Sequence, residues 1–443
     1  MSEAVLNSIG NQLLELTVCK SLYDTVDIQW YVEGPFWRRT NMRFSRNYKT
    51  LPDYELGDAK HGKTLKDIYE ETNNLEDVLL SYAPEAADDE RDRIEYLLTH
   101  IKSLKFRTGM LLGKKYSFDE MTYELYNLIA PKYDYNNFDI IFEKMANLPG
   151  EGSTLDKIES FKKRISIPKE KLLDVLCEVN DAFHDMSMKN MHITGNSKPR
   201  IRVRHLPNPK TVFISVLFGY DYDGVYYERN FNLDYDWTVE NVMEYIGHEI
   251  EPGHITYYEK RTQTFIDTLW PEMSVVSMYS PSSAFTEGSA RYVSDLCFGN
   301  SIDEKIEFEK EHIFKVAGLD LELVKYMKLW HEFINIAGYA KLEVTRNITD
   351  GIWNKSEGLD FLKGYGFIDS SADEHDIEVL LSDEGHFVCH DFARDTIKKY
   401  FECKGESIQD KWNLYELMCC SHMSMKRIAD GTYFPQLQQW KKL

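Results

Sequence analysis

Apolar residues recur three and four apart over most of this chain, the spacing of helices that bury one face. The stretches "TLKDIYEETNNLEDVLLSYA" (64–83) and "RDRIEYLLTHIKSLKFRTGMLL" (91–112) carry it clearly. So do "FDEMTYELYNLIA" (118–130) and "KEKLLDVLCEVNDAFHDMSMKNM" (169–191). The acidic run "PEAADDERD" (84–92) predicts a solvated loop and a helix start. "NLPGEGS" (147–153) and "TGNSKP" (194–199) are rich in turn formers and punctuate the pattern. The second of these sets a soft boundary, with an N-terminal helical region over 1–195 and a second region over 196–443.

The period then changes. "TVFISVLFGY" (211–220) is β-branched and aromatic, "DYDG" (221–224) ends in a turn-favouring Asp-Gly, and "VYYERNFNL" (225–233) follows. These predict a β-hairpin, the only substantial sheet expected. A helix begins after it, with Asp236 or Thr238 as its N-cap, and helices resume from about residue 283 to the end. The expected class is mainly α, a large helical fold with a small hairpin beside one helix.

Charge narrows the partners. Against 52 Lys and Arg stand 73 Asp and Glu in 443 residues, a net charge of −21 that repels phosphate backbones. The basic stretch "KPRIRVRHLPNPK" (198–210) is short, so a nucleic-acid role is not expected. No run approaches the ~20 apolar residues of a membrane span. The first twenty residues read as an amphipathic helix and not a secretion signal. Seven cysteines, odd in number and without a C-x-x-C pair, point away from a disulfide framework and toward a reducing cytoplasm.

"EYIGHEIEPGHITYY" (244–258) carries the candidate chemistry. In H-E-x-x-H zinc sites the histidines lie one helical turn apart and the Glu is the general base. Here His248 and His254 are six apart, and an ideal helix would turn them ~240° and ~9 Å away from each other. Pro252-Gly253 can break the helix and swing His254 back onto the face of His248. The competing reading is a helix that ends near residue 251 with two incidental histidines. A third donor, Glu287, sits early in a helix that starts at "SPSSAFTEGSARYVSDL" (280–296), where the plainer reading is a Glu287–Arg291 surface pair. The hairpin before the first histidine would suit an extended peptide, which can pair with an exposed strand.

"HEIEPGH" followed by "FTEGSARY" resembles the His-Glu-x-x-Pro-Gly-His and Glu-Gly-Trp-Ala-x-Tyr motifs of the domain-of-unknown-function 885 proteins. Those proteins are zinc-peptidase-like and related in fold to the Taq-type carboxypeptidases. The resemblance covers roughly residues 200–430. It implies a cleft-containing metallopeptidase-like fold, Zn2+ held by His248, His254 and Glu287, and Glu249 as the base. "RNITDGIWNKSEGLDFL" (346–362) resembles a further family segment, which makes Arg346 a candidate catalytic residue. This chain departs from the pattern at Ser289, where the family has tryptophan, and at Trp353, where it has histidine.

"SDEGHFVCHDFARD" (382–395) is a second candidate locus. His386 and His390 are four apart on an expected helix, close to Asp383, Glu384 and Asp391. They are read as a helix start with partly buried histidines, as a wall of the same site, or as an independent metal site. Tyr257, Tyr258 and Tyr292 could steady an oxyanion, or simply pack. The expectation is a cytoplasmic zinc-dependent hydrolase of a peptide or other amide. The alternatives are a metal enzyme acting on a non-peptide small molecule and a non-catalytic helical binding protein.

Overall fold

The structure, a computed structural model, describes residues 3–21, 23–24, 63–85, 87–191, 200–206, 213–221, 224–268 and 270–433. Helices α1 (Glu3–Ser21), α2 (Leu65–Tyr82), α3 (Asp88–Leu111) and α4 (Phe118–Tyr126) come first. Then come α5 (Asn136–Met145), α6 (Thr154–Arg164) and α7 (Leu172–Asn190). Strands β1 (Arg200–Arg204), β2 (Phe213–Asp221) and β3 (Gly224–Asn232) lead to α8 (Val239–Glu249), α9 (His254–Thr268) and α10 (Pro281–Leu296). The chain continues through α11 (Ile302–Phe308), α12 (Met327–Thr349), α13 (Lys355–Tyr365) and α14 (Glu374–Ser382). It closes with α15 (Ala393–Lys404), α16 (Ile408–Cys419) and α17 (Met425–Ala429). The protein is mainly helical, as expected. No helix among the described residues is long and apolar enough to cross a membrane.

Local sequence explains where many helices start. Thr64, Ser117, Ser153, Asn354 and Ser407 each cap a first backbone N–H, and the acid three residues on returns the bond, as a capping box requires. Such a cap stabilises a helix by about 1 kcal/mol. Asn127, at φ 56°, stops α4 four residues short of the end of the apolar run that suggested its length. Thr238 is the N-cap position of α8; its hydroxyl bonds the Glu240 carboxylate at 2.6 Å.

The chain forms two compact units, each built from separated segments. One comprises Met1–Ile129, Thr256–Gly288 and Asp395–Leu443; the other comprises Ala130–Ile255 and Ser289–Arg394. This differs from the division at residue 195, which falls outside the described residues. The reason is packing on both sides of it: α7 packs against α8 and β1, within one unit.

In the first unit Leu6, Ile9, Leu13 and Leu16 of α1 meet Leu75 and Leu79 of α2 and Ile94, Leu97 and Ile101 of α3. Each such side chain contributes about 1.5–3 kcal/mol when fully buried. A polar network runs through the same unit. Arg93 Nη2 donates to Glu272 at 3.1 Å, and His422 Nε2 lies 2.9 Å from that carboxylate. Burial raises the Glu272 carboxyl, but His422 and Arg93 outweigh it and bring it down to about 2. Glu272 also reaches the backbone of α1, where a Cβ on Gly10 would stand 2.5 Å from its Oε2.

In the second unit Phe138, Phe161, Val175, Val179 and Phe183 pack with Val242, Met243 and Ile246 of α8 and with Trp330 and Val344 of α12. The sheet is three-stranded, in the order β1-β3-β2, with β1 parallel and β2 antiparallel to β3. The hairpin expected from sequence is therefore present, and β1 extends it.

Candidate metal centre

Helix α8 ends at Glu249, and α9 begins at His254. Between them the chain turns through residues 250–253, with Ile250 at φ −114° and ψ −108°. The Ile255 N–H donates to the Ile250 carbonyl at 3.0 Å and closes the turn. His184 on α7 secures it further, its Nδ1 lying 2.7 Å from the Glu251 carboxylate. Gly253 is required by space. A Cβ there would lie 2.0 Å from the His248 carbonyl oxygen and 2.6 Å from that of Gly247. The helix does end, as the plainer reading had it, yet the two histidines meet: their ring centroids are 4.4 Å apart at 79°.

Glu287 joins them from α10. His248, His254 and Glu287 are all buried, and each offers a ligand atom within 4.8 Å of the others. Helix α10 is fixed at both ends. At its start the Ser282 hydroxyl sits 2.8 Å from the Tyr96 hydroxyl and 2.7 Å from His100 Nε2. Farther along, a Cβ on Gly247 of α8 would come within 2.5 Å of the Ser294 hydroxyl, so the two backbones approach closely there.

The donor set suits a divalent ion. Two imidazole nitrogens and one carboxylate oxygen form the three-ligand set of catalytic zinc sites, which leaves one position for water. Ligands 2.0–2.2 Å from a common ion stand about 3.4 Å apart at the tetrahedral angle, so side-chain adjustments of about 1 Å or less complete the set. Manganese, iron and cobalt would fit similar donors.

The neighbours of the cluster fall into two kinds. Glu249, also buried, accepts from Arg229 Nη2 at 2.8 Å through Oε2, while its Oε1 lies 3.8 Å from His248 Nε2. His390 has its ring centroid 5.9 Å from that of His248 and 5.3 Å from that of His386. These two residues are not on the regular helix expected of them. Glu384 and Gly385 take positive φ of 45° and 79°, and 388–392 form a wide turn of the π type, a feature frequent at functional sites. Among the described residues no second group of three donors converges as the first does.

No protein-family model matches the sequence, and no curated protein matches it. Two solved structures match this chain. One, described as a "putative lipoprotein" from Colwellia psychrerythraea, is 10% identical, with 83% of this chain and 69% of that one covered and a TM-score of 0.52. The other, from Shewanella oneidensis and described as a "putative lipoprotein of unknown function", is 13% identical, with 83% and 73% covered and a TM-score of 0.43. At such identity the first likeness shows the fold alone.

Other expected residues make contacts of their own. Arg346 is buried and bonds the Glu343 carboxylate and the carbonyl of Ala130, while Glu343 accepts the Tyr133 N–H at 3.2 Å. These bonds tie α12 to the 130–133 segment and engage the guanidinium of Arg346, one of the expected catalytic residues, in that packing. Trp353 packs against Tyr135 and Phe361. Tyr257 faces Arg261 and Phe285, and burial pushes its hydroxyl up to about 12. Tyr292 is fully buried on α10, five residues beyond Glu287.

Arg229 and Glu244 escaped the sequence reading, and Asp391 entered it only as a neighbour of His386 and His390. Arg291 bonds Asp391 at 2.8 Å and Glu244 at 2.7 Å, and Asp391 lies against Gly338 of α12, where a Cβ would overlap it. Burial raises the Glu244 carboxyl, but Arg291 and the other cations nearby draw it below its ordinary value. Only three-dimensional proximity joins these residues.

Proposed function

We propose that the protein is a divalent-metal-dependent hydrolase, with zinc as the first choice of ion and a peptide or other amide as substrate. The observation that carries this reading is the convergence of His248, His254 and Glu287 at one buried point. The motif resemblance to the zinc-peptidase-like domain-of-unknown-function 885 proteins supports it independently. An ion held by these three residues would supply Lewis acidity. Glu249, through the oxygen that Arg229 leaves open, accepts the proton of the attacking water. His390 is near enough to the His248 ring to hydrogen-bond a developing oxyanion or to protonate a leaving amine. No disulfide joins any of the seven cysteines, all of them among the described residues, which suits a cytoplasmic location.

A second reading is a metal enzyme acting on a non-peptide small molecule. What favours it is Trp353, packed among aromatics where the resembled family has a polar histidine.

Elemental analysis of protein purified without added metal, with turnover measured on fluorogenic peptides and on small amides and esters, tests both. Near-stoichiometric zinc is expected, with Glu249→Gln keeping the metal and losing turnover. Cleavage of small amides or esters but of no peptide favours the second reading. A fully active Glu249→Gln variant overturns the mechanism. Failure to bind zinc, cobalt or manganese overturns the enzyme assignment and leaves a helical binding protein.

A further inference from the structure

We propose that Arg229 is a positioning residue that keeps the Glu249 carboxylate off the metal ion and turned toward the water. This rests on the metal-hydrolase reading above. Glu249 follows a ligand directly in sequence, and its Oε1 lies 3.8 Å from His248 Nε2. Two ligands of one ion stand about 3.4 Å apart, so a carboxylate this close is itself a candidate ligand. If it bound, it would fill the position that water needs.

Arg229 opposes that outcome by its geometry. Its Nη2 donates to Glu249 Oε2 at 2.8 Å and to the Glu249 main-chain carbonyl at 3.2 Å, so one nitrogen holds side chain and backbone of the same residue. The guanidinium is 2% exposed and cannot be traded for water without cost. A planar, permanently charged fork also fixes the direction of the carboxylate in a way a lysine ammonium does not.

The sheet is irregular at this residue. Along β3, Glu228 pairs with Leu217 and Asn230 with Ile214, so two residues of β2 oppose Arg229 alone. That is a β-bulge, a device common beside active sites, where it re-aims a side chain. The ladder is thus interrupted where a side chain leaves the sheet for Glu249.

The test uses the Co2+-substituted protein, whose visible absorption reports the kind and number of ligands without any substrate. Arg229→Ala is expected to retain Co2+ but to show a shifted visible band, as the freed Glu249 replaces the water as a ligand. The double variant Arg229→Ala/Glu249→Gln is expected to recover the wild-type band. In the zinc form Arg229→Ala should lose about 10–100-fold in kcat with KM little changed, and Arg229→Lys should regain part of it. Circular dichroism checks folding; if Arg229→Ala does not fold, Arg229→Gln, closer in size, takes its place with the same expectations. A folded variant with an unchanged Co2+ band overturns the proposal, as does a change that persists in the double variant. Wild-type protein that binds no Co2+ removes the metal-hydrolase reading and this inference together, whereas an unaltered band in the variant removes only the inference.

Discussion

Replacing Gly253 by alanine probes the turn that makes the site. The added Cβ would stand 2.0 Å from the His248 carbonyl oxygen and 2.6 Å from that of Gly247, both main-chain atoms that no rotamer change can move. Relieving the closer contact to 3.0 Å, the shortest that real Cβ atoms show, requires the backbone to open by about 1 Å. The strain acts between His248 and the residue preceding His254, and so directly on two of the three donors. Metal sites tolerate displacements of about 0.2 Å in ligand distance, several-fold less than this opening. Overpacking of this kind costs about 1–3 kcal/mol of stability. Gly253→Ala should therefore melt a few degrees lower and bind zinc at least about tenfold more weakly, with a smaller zinc-induced rise in Tm. Competition with a chromophoric chelator gives the affinity, and thermal melts with and without zinc give the rest. A folded Gly253→Ala protein that binds zinc as tightly as wild type would refute the claim that this turn brings the histidines together.

Three further outcomes follow from residues around the site and away from it. Arg346→Ala should cost about 3–5 kcal/mol in denaturant melts, because it leaves the buried Glu343 carboxylate without its guanidinium, while zinc content stays unchanged. His390→Ala should keep full zinc stoichiometry and lose about 10²–10⁴-fold in kcat, the usual contribution of a positioned proton donor. Acid should destabilise the first unit through His100, whose pKa burial lowers from 6.5 to about 3, with the Tyr96 carbonyl opposing the shift and Arg261 adding to it. The unfolded chain takes up this proton near pH 6.5 and the folded one only near 3, so stability is full above 6.5 and falls progressively below it. Tm measured against pH should decline across that window, and His100→Gln should flatten the decline.

Much of the helical pattern could be read from local spacing because each helix buries one stripe. Helices α2, α3 and α7 lie where the apolar period puts them, and the hairpin of β2 and β3 lies where the alternation does. Strand β1 was missed because its arginines drew attention to charge, although their alternation with Ile201 and Val203 has the period of a strand. The two units could not be read at all. Their segments are joined by partners far apart in the chain, such as Arg93 with Glu272 and Arg427 with Asp92, and such pairs leave no periodic trace.

The candidate site shows why its donors could be found and its geometry could not. His248, His254 and Glu287 were marked by residue type and by the Pro-Gly between the histidines. The expected repair was a local bulge or break at Pro252-Gly253 that keeps both histidines on one helical face. The structure instead ends α8 at Glu249 and restarts the chain at His254 after a four-residue turn. A continuing helix would hold two residues six apart on different faces, since its period admits pairs only at three, four or seven. Ending the helix removes that constraint, and the cost is a turn that must be held by other means. Gly253 supplies the space for it, His184 holds Glu251, and the Ile250 carbonyl receives the Ile255 N–H. Helix termination, which as a plain reading argued against a metal site, is thus the feature that permits one. A six-residue spacing between donors is accordingly an argument against a shared ion only where the helix between them is continuous.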